Sequence, residues 1–350
     1  MLDPFCGSGT VLVESSIAGR SSIGVEINPL AILISRVSTT PIDETKLRKA
    51  VDSLIRGVHQ TEAPEVPSEP IGVHNVNHWF KADVINSLYK IRTEILREED
   101  GDIRNLFMVT FSATMYKVSN IRHKDNPYFA RVLHEDELSK HKPDTLREFR
   151  HRLKQNVDSV LSYSRRRDSS VRADVIRGDS RNLSNLIHRS VDMVVTSPPY
   201  GEQANTMDYT RFTRLATEWL QINNDSAQFA LGASNDHADL KEFHSPTLEQ
   251  TLALVGAKDE QRAKQVATFL HDYQTCLRQI HSKLKKGGYL CVIIGDRTAS
   301  GIGIPNGIIT SEIAGHLGFE TTEIVKRKMF LKALLSNVMK YENVVILRKS

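Results

Sequence analysis

Asp3-Pro4-Phe5-Cys6-Gly7-Ser8-Gly9-Thr10 decides how the rest of this chain is read. The short apolar start before it reads as a strand, and Thr10 to Ala18 reads as a helix with Val11, Leu12, Val13 and Ile17 on its apolar face. Ser22 to Asn28 reads as a second strand, with Glu26 near its tip, and Pro29 is placed to open the next helix, Leu30 to Ser38. Strand, Gly-rich turn, helix, then a strand ending in a carboxylate is the mononucleotide-binding half of a doubly wound α/β sheet. Glycines at 7 and 9 let the backbone come close to a ligand, and the helix start offers free N–H groups. Glu26 is positioned for the two hydroxyls of a ribose. The turn is Gly-x-Gly rather than Gly-x-Gly-x-x-Gly, and no Lys follows it, which argues against a phosphate cradle and against a dinucleotide. A nucleoside without phosphates, such as S-adenosylmethionine, fits better.

A second stretch makes chemical sense only with the first. Val191 to Val195 reads as a buried central strand, and it ends in Thr196-Ser197-Pro198-Pro199-Tyr200. Another strand, Ala173 to Asp179, ends in an acid and leads through a short helix, Arg181 to Ile187. Residues 201–260 are polar and irregular apart from a helix at Tyr209 to Trp219, and read as a lid or recognition loop. A helix from Ala263 to Leu284 stops at Lys285-Lys286-Gly287-Gly288, and a strand from Tyr289 to Ile294 follows. After a helix from Ile308 to Leu317, two β-like runs, Thr322 to Met329 and Asn343 to Leu347, read as a terminal antiparallel hairpin.

The α/β alternation stops between Pro41 and about Ser170. Helical periodicity is clear at Val84, Leu88, Ile91 and Ile95, and again from Ile103 to Val118. His59 to Val73, with three prolines among acids, reads as a linker, and Asp125-Asn126-Pro127 as a break. Residues 144–163 form a basic amphipathic helix. Residues 1–43 and 170–350 are therefore expected to form one catalytic domain, and 44–169 a mostly helical insertion over one face of the sheet.

The 350 residues carry a net charge of +4, with 40% hydrophobic and 25% charged residues, ordinary for a globular protein. Nine Lys and Arg against three acids between Lys140 and Arg167 give that window +6 and leave the rest near −2. A basic stripe on a near-neutral body suggests a polyanion partner, with Lys154, Arg165, Arg166 and Arg167 as candidate nucleic-acid contacts. No apolar run is long enough for a membrane span. Cys6, Cys276 and Cys291 are too few and scattered for a disulfide scaffold or a zinc site, so no metal is expected and a reducing cytoplasm fits.

Together these residues resemble the DNA amino-methyltransferases. The family's cofactor motif is similar to Asp3–Thr10 almost letter for letter, and its catalytic motif, Asp/Asn/Ser-Pro-Pro-Tyr, is matched by Ser197-Pro198-Pro199-Tyr200. Met207-Asp208-Tyr209 and Lys286-Gly287-Gly288-Tyr289 also look like family features. The resemblance covers residues 1–40 and roughly 170–350 and implies a Rossmann-like class I methyltransferase fold, a mostly parallel seven-stranded sheet with a C-terminal antiparallel hairpin. It implies S-adenosylmethionine as methyl donor, with Asp3, Phe5, Gly7 and Gly9 around its methionine part and Pro4, Cys6, Ser8 and Thr10 in the same cofactor-binding stretch. Glu26 would take the ribose hydroxyls and Asp179 the adenine amino group, with Ile27 and Ser180 as further cofactor-binding residues. Cys6 itself reads as a packing residue.

The second motif suits a poor nucleophile. An exocyclic amino nitrogen has its lone pair delocalised into the ring, so it must be pyramidalised and aimed. Ser197 and the Pro198 carbonyl offer acceptors to the two amino hydrogens, and the prolines stiffen the loop. Tyr200 offers a stacking face, and the target base must leave the duplex to reach it. Carbon-5 methylation of cytosine is disfavoured, because no cysteine follows a proline. Within the family, serine at position 197 leans toward N4 of cytosine in double-stranded DNA, in a restriction-modification setting. N6 of adenine and N2 of guanine in RNA remain alternatives. The chain starts at the motif itself, without the helix that usually precedes it in the family, so a second protein chain completing the pocket is a further expectation.

Overall fold

β1 (Leu2–Asp3) is two residues long, yet it lies inside a seven-stranded sheet in this computed structural model. Leu2 is fully buried and pairs in parallel with Ile23 on one side and Val194 on the other. From it the chain runs through α1 (Thr10–Ile17), β2 (Ser22–Glu26) and α2 (Pro29–Thr39). A helical stretch follows: α3 (Glu44–Gln60), α4 (Val76–Trp79), α5 (Ala82–Arg97), α6 (Gly101–Val118), α7 (Glu135–Lys140) and α8 (Thr145–Arg166). The sheet resumes with β3 (Ala173–Arg177) and β4 (Val191–Thr196), then α9 (Tyr209–Trp219), α10 (Pro246–Gly256), α11 (Glu260–Lys283) and β5 (Leu284–Ile294). A small hairpin, β6 (Arg297–Ala299) and β7 (Ile302–Ile304), precedes α12 (Asn306–His316), β8 (Phe319–Lys328) and β9 (Tyr341–Lys349). The structure describes residues 1–62, 73–121, 132–201, 209–233, 243–329 and 341–350.

The strand order is β3-β2-β1-β4-β5-β9-β8. The first five strands pair in parallel, and β9 runs antiparallel to both β5 and β8. This is the Rossmann-like class I methyltransferase architecture, with its C-terminal hairpin as the sheet's far edge. The order reverses between β1 and β4, and in such sheets the crevice outside the strands' carboxyl ends at that point takes the ligand.

Two apolar cores share the molecule. One is formed by the strands with α10, α11 and α12, including Leu252, Phe269, Leu277 and Ile313. The other joins α2 to the helices that follow it, through Val37, Leu47, Leu88, Phe107 and Phe149, and α9 enters it with Leu215 and Trp219. The helical segment meets the rest of the chain chiefly through α2, which in turn lies against β2 and β3. Local signals place these helices: Asn28, Asp43, Asp100, Asp144, Ser245 and Asp259 each accept backbone N–H bonds as N-caps.

Trp219 is fully buried between Phe80 and Phe111, edge-on to both, and its carbonyl accepts Arg92 Nε at 2.7 Å. Trp219→Ala is expected to cost about 4 kcal/mol of stability, measured by urea unfolding, because the cavity left behind cannot close against rigid helices.

Three local expectations are corrected. Arg181 to Ile187 is a series of turns, not a helix, because Asp179 and Asn182 accept the backbone N–H groups of Arg181 and Ser184 and so compete with helical bonding. Residues 201–260 hold a second helix, α10, started by the Ser245 cap with Pro246 at its first turn. Gly287 and Gly288 do not stop α11, which ends at Lys283, but lie within β5, where the pairing with β4 shifts register between Val191 and Met193. The linker core, the Asp125-Asn126-Pro127 break and Met207-Asp208 lie outside the described residues.

Candidate active site

The two motifs leave the carboxyl ends of adjacent strands, β1 and β4, where the strand order reverses. They are joined by one buried bond: Thr196 Oγ1 donates to Asp3 Oδ1 at 2.7 Å. Phe5 N donates to the same oxygen at 3.1 Å, so Asp3 closes the turn on itself while holding the second loop. Motif reading does not single out Thr196, because its role is a contact across 193 residues of sequence. Burial pushes the Asp3 carboxyl up to about 6, against the two bonds it accepts, and the charge of Glu26 adds to the rise.

The turn itself is built for close approach. Gly7 and Gly9 both have positive φ, at 49° and 86°, and Gly9 lies against Ser35 of α2 so that any Cβ there would collide. Gly7 has open space where a Cβ would stand. Pro4 and Cys6 are buried, Phe5 is half-buried, and Ser8 and Thr10 are exposed. Burial, with the charges of Asp3 and Glu26, pushes the Cys6 thiol up to about 12, which makes it an inert packing group.

Glu26 accepts from Gly7 N, Ile27 N and Asn28 N, each at 2.9 Å, so its carboxylate is clamped beside the turn. Burial raises its pKa, partly offset by those three bonds. Ser180 is buried and its hydroxyl donates to the Pro4 carbonyl, tying the loop after β3 to the turn. Asp179 is held differently: Arg181 grips both its oxygens, with Nη2 at 2.7 Å, and also reaches Asp272 at 2.9 Å. Asp3, Glu26, Asp179 and the turn thus line one end of the sheet.

S-adenosylmethionine is a phosphate-free cationic nucleoside, and the site fits one. Two partly desolvated carboxylates, Asp3 and Glu26, flank a turn that carries no Lys or Arg, and the Cβ side of Gly7 leaves open room. Gly7→Ala is expected to weaken cofactor binding about tenfold or more, because the new methyl takes that room, at a stability cost of only about 1–2 kcal/mol for the left-handed backbone. Calorimetric titration and thermal melts read the two effects separately.

In the Ser-Pro-Pro-Tyr loop Ser197 and Pro199 are exposed, Pro198 is buried and Tyr200 is half-buried. The Tyr200 hydroxyl donates to Glu342 Oε1 of β9 at 2.9 Å and lies 3.2 Å from Ser197 Oγ. Burial pushes this phenol up to about 12. Asn306 Nδ2 donates to the Tyr200 carbonyl at 2.8 Å, and the Arg297 guanidinium sits 5.8 Å from the ring centre. A cavity of about 240 Å³ opens beside this loop, lined by Tyr200, Phe269, Arg297, Thr298 and Asn306 among others. Sequence reading misses Glu342, Arg297 and Asn306, which come from elements that carry no motif.

The candidate nucleic-acid contacts lie elsewhere, on α8 and its end. Lys154, Arg165 and Arg166 are exposed, Arg165 pairs with Glu44 at 3.2 Å, and the Arg167 backbone caps the helix. Among the described residues no group of three or more His, Cys, Asp or Glu is placed to hold a metal ion, and no helix is long and apolar enough to cross a membrane.

A family model for DNA methylases matches residues 191–350. The Type II methyltransferase M.MvaI of Kocuria varians is 30% identical over 335 residues, covering 89% of this chain and 73% of that protein. The Type II methyltransferase M.MjaII of Methanocaldococcus jannaschii is 45% identical over 49 residues, 14% of this chain and 9% of that one. Among solved structures, a candidate DNA modification methylase of Thermus thermophilus complexed with S-adenosyl-L-methionine is 17% identical, with a TM-score of 0.27 over 49% of this chain and 53% of its own. The rRNA methyltransferase aviRa of Streptomyces viridochromogenes is 11% identical, with a TM-score of 0.29 over 99% and 75%. At those scores the fold rests on the strand order rather than on superposition. The match along most of both chains to a Type II methyltransferase, together with the methylase model, shows that this protein belongs to the DNA amino-methyltransferase family.

Proposed function

We propose that this protein methylates N4 of cytosine at specific sites in duplex DNA, acting on a base turned out of the helix. The family fixes the coarser statement: it is a DNA methyltransferase of the N4/N6 type, and its methyl donor is S-adenosylmethionine. The observation that carries the reading is the Thr196–Asp3 bond, which joins the cofactor turn to the Ser-Pro-Pro-Tyr loop at the switch point.

The donor supplies an electrophilic methyl on a sulfonium. The chain's own residues do the rest. Asp3, the Gly7–Gly9 turn and Glu26 hold a cationic nucleoside by charge and close backbone approach. The Pro198 carbonyl and Ser197 take the two amino hydrogens, so the nitrogen lone pair turns out of the ring plane toward the methyl. Tyr200 offers a face for the base, which must leave the stack to be reached. Displacement is direct: the amino nitrogen forms the new N–C bond as the methyl–sulfur bond breaks and leaves a neutral thioether. The cationic nitrogen then releases one proton to solvent, and no cysteine is needed as a nucleophile.

Two features favour cytosine. Serine rather than aspartate stands at position 197. Arg297 lines the cavity beside Tyr200, and its Nε has no hydrogen-bond partner among the described residues. Along the Watson–Crick edge cytosine offers two acceptors in a row beside its amino group, N3 and O2, whereas adenine offers N1 followed by a C–H. The exposed cations of α8 supply a phosphate-binding surface for the duplex. Nucleoside analysis of DNA treated with labelled cofactor tests the base: N4-methylcytosine is expected, and label found solely as N6-methyladenine would overturn the assignment.

A further inference from the structure

Ser197 carries a hydroxyl, which can donate or accept, where a carboxylate in that place can only accept. To receive an amino hydrogen it must show a lone pair, and a freely rotating hydroxyl does so only part of the time. Three side chains stand in series behind it. Ser197 Oγ lies 3.2 Å from the Tyr200 hydroxyl, which donates to Glu342 Oε1 at 2.9 Å, and Arg327 Nη2 donates to Glu342 Oε2 at 2.6 Å. Glu342 is 7% exposed and Arg327 holds it from the neighbouring strand β8, across the Arg327–Glu342 pairing of the hairpin. The phenol, pushed up by burial, stays protonated and can serve as a donor. Its proton goes to Glu342, so its oxygen is left to accept from Ser197. The serine proton then has one fixed destination, and its lone pairs face away from Tyr200.

We propose that Glu342, held by Arg327, is a positioning residue that acts through Tyr200 to lock the Ser197 hydroxyl as the acceptor for the target amino group. The inference rests on the Ser197 loop being the place of methyl transfer. Positive charge grows on the amino nitrogen during transfer, so its N–H groups become stronger donors. A locked acceptor therefore acts mainly on the transition state and shows in kcat more than in KM.

The test uses the full chain with labelled S-adenosylmethionine and unmethylated duplex DNA. Tyr200→Phe keeps the ring and the Glu342–Arg327 pair but breaks the series, and Glu342→Leu removes the terminal acceptor. Each is expected to lower kcat on the order of tenfold or more, with KM for DNA moving less than about twofold. Ser197→Asp supplies an obligate acceptor that needs no orientation. In that background Tyr200→Phe is expected to cost less than about twofold, a rescue that a merely structural role would not produce. If Glu342→Leu does not fold, Tyr200→Phe alone decides. An active wild type whose kcat survives Tyr200→Phe overturns the series and leaves the reaction standing, as does an undiminished loss in the Ser197→Asp background. A wild type that transfers no methyl to DNA overturns the reaction and the series together.

Discussion

Ser197→Ala is expected to lower the single-turnover rate of methyl transfer by about 100-fold, while cofactor affinity changes little. The serine is exposed at the rim of the loop, so its loss opens no cavity and leaves the fold intact. On the proposed mechanism it removes an acceptor for a hydrogen that becomes more acidic as the nitrogen is alkylated, and such an interaction is worth more in the transition state than in the ground state. Tyr200→Ala should act at a different step. It removes the stacking face, worth about 1–3 kcal/mol per base, so DNA affinity and rate fall together. Separate titrations with DNA and with cofactor distinguish the two. Equal loss of cofactor binding in both variants would mean that the loop shapes the nucleoside pocket instead.

Asp3→Asn is expected to make the protein more stable and the enzyme worse. The Asp3 carboxyl is buried and pushed up to about 6 from an ordinary 3.8. Between those values the folded state binds the proton more tightly than the unfolded chain does. This group therefore supports folding as the pH falls through 6 toward 4, and costs stability above 6. A displacement of that size is worth on the order of 3 kcal/mol at neutral pH. Asparagine keeps an acceptor for the Thr196 hydroxyl and the Phe5 N–H without the charge. Its melting temperature should rise at pH 7.5 and lose the dependence between about pH 4 and 6. Cofactor affinity should fall, since a desolvated anion is what a cationic ligand neutralises. In the wild type the same affinity should weaken as the pH drops through about 6, because protonated Asp3 offers no charge. A less stable Asp3→Asn protein at pH 7.5 would mean that the hydrogen bonds outweigh the burial.

Much of this is legible in the chain. The Gly-x-Gly turn, the acid at Glu26 and the Ser-Pro-Pro-Tyr loop are local, and each sits at the end of a short strand. The seven-stranded, mostly parallel sheet is what the family resemblance implies, and the order of its strands comes from the structure. What stays hidden is set by distance in sequence. Thr196 matters because it meets Asp3, and Glu342 because it meets Tyr200 across 142 residues, and neither contact leaves a local pattern. The stretch after Asp179 reads as a short helix, but two side chains that bond nearby backbone turn it into loops. α9 reads as part of a lid, whereas Trp219 and Leu215 anchor it in the helical core that also holds α2.

The pairing of the two motifs into one methylating site can be put to a single assay. Wild-type and Ser197→Ala proteins are incubated with methyl-labelled S-adenosylmethionine, duplex DNA and total RNA, and the products are digested to nucleosides. The site described here predicts label in DNA on an exocyclic amino group, as N4-methylcytosine, and its near loss in Ser197→Ala. Label as 5-methylcytosine, label confined to RNA, or full activity in Ser197→Ala would contradict it.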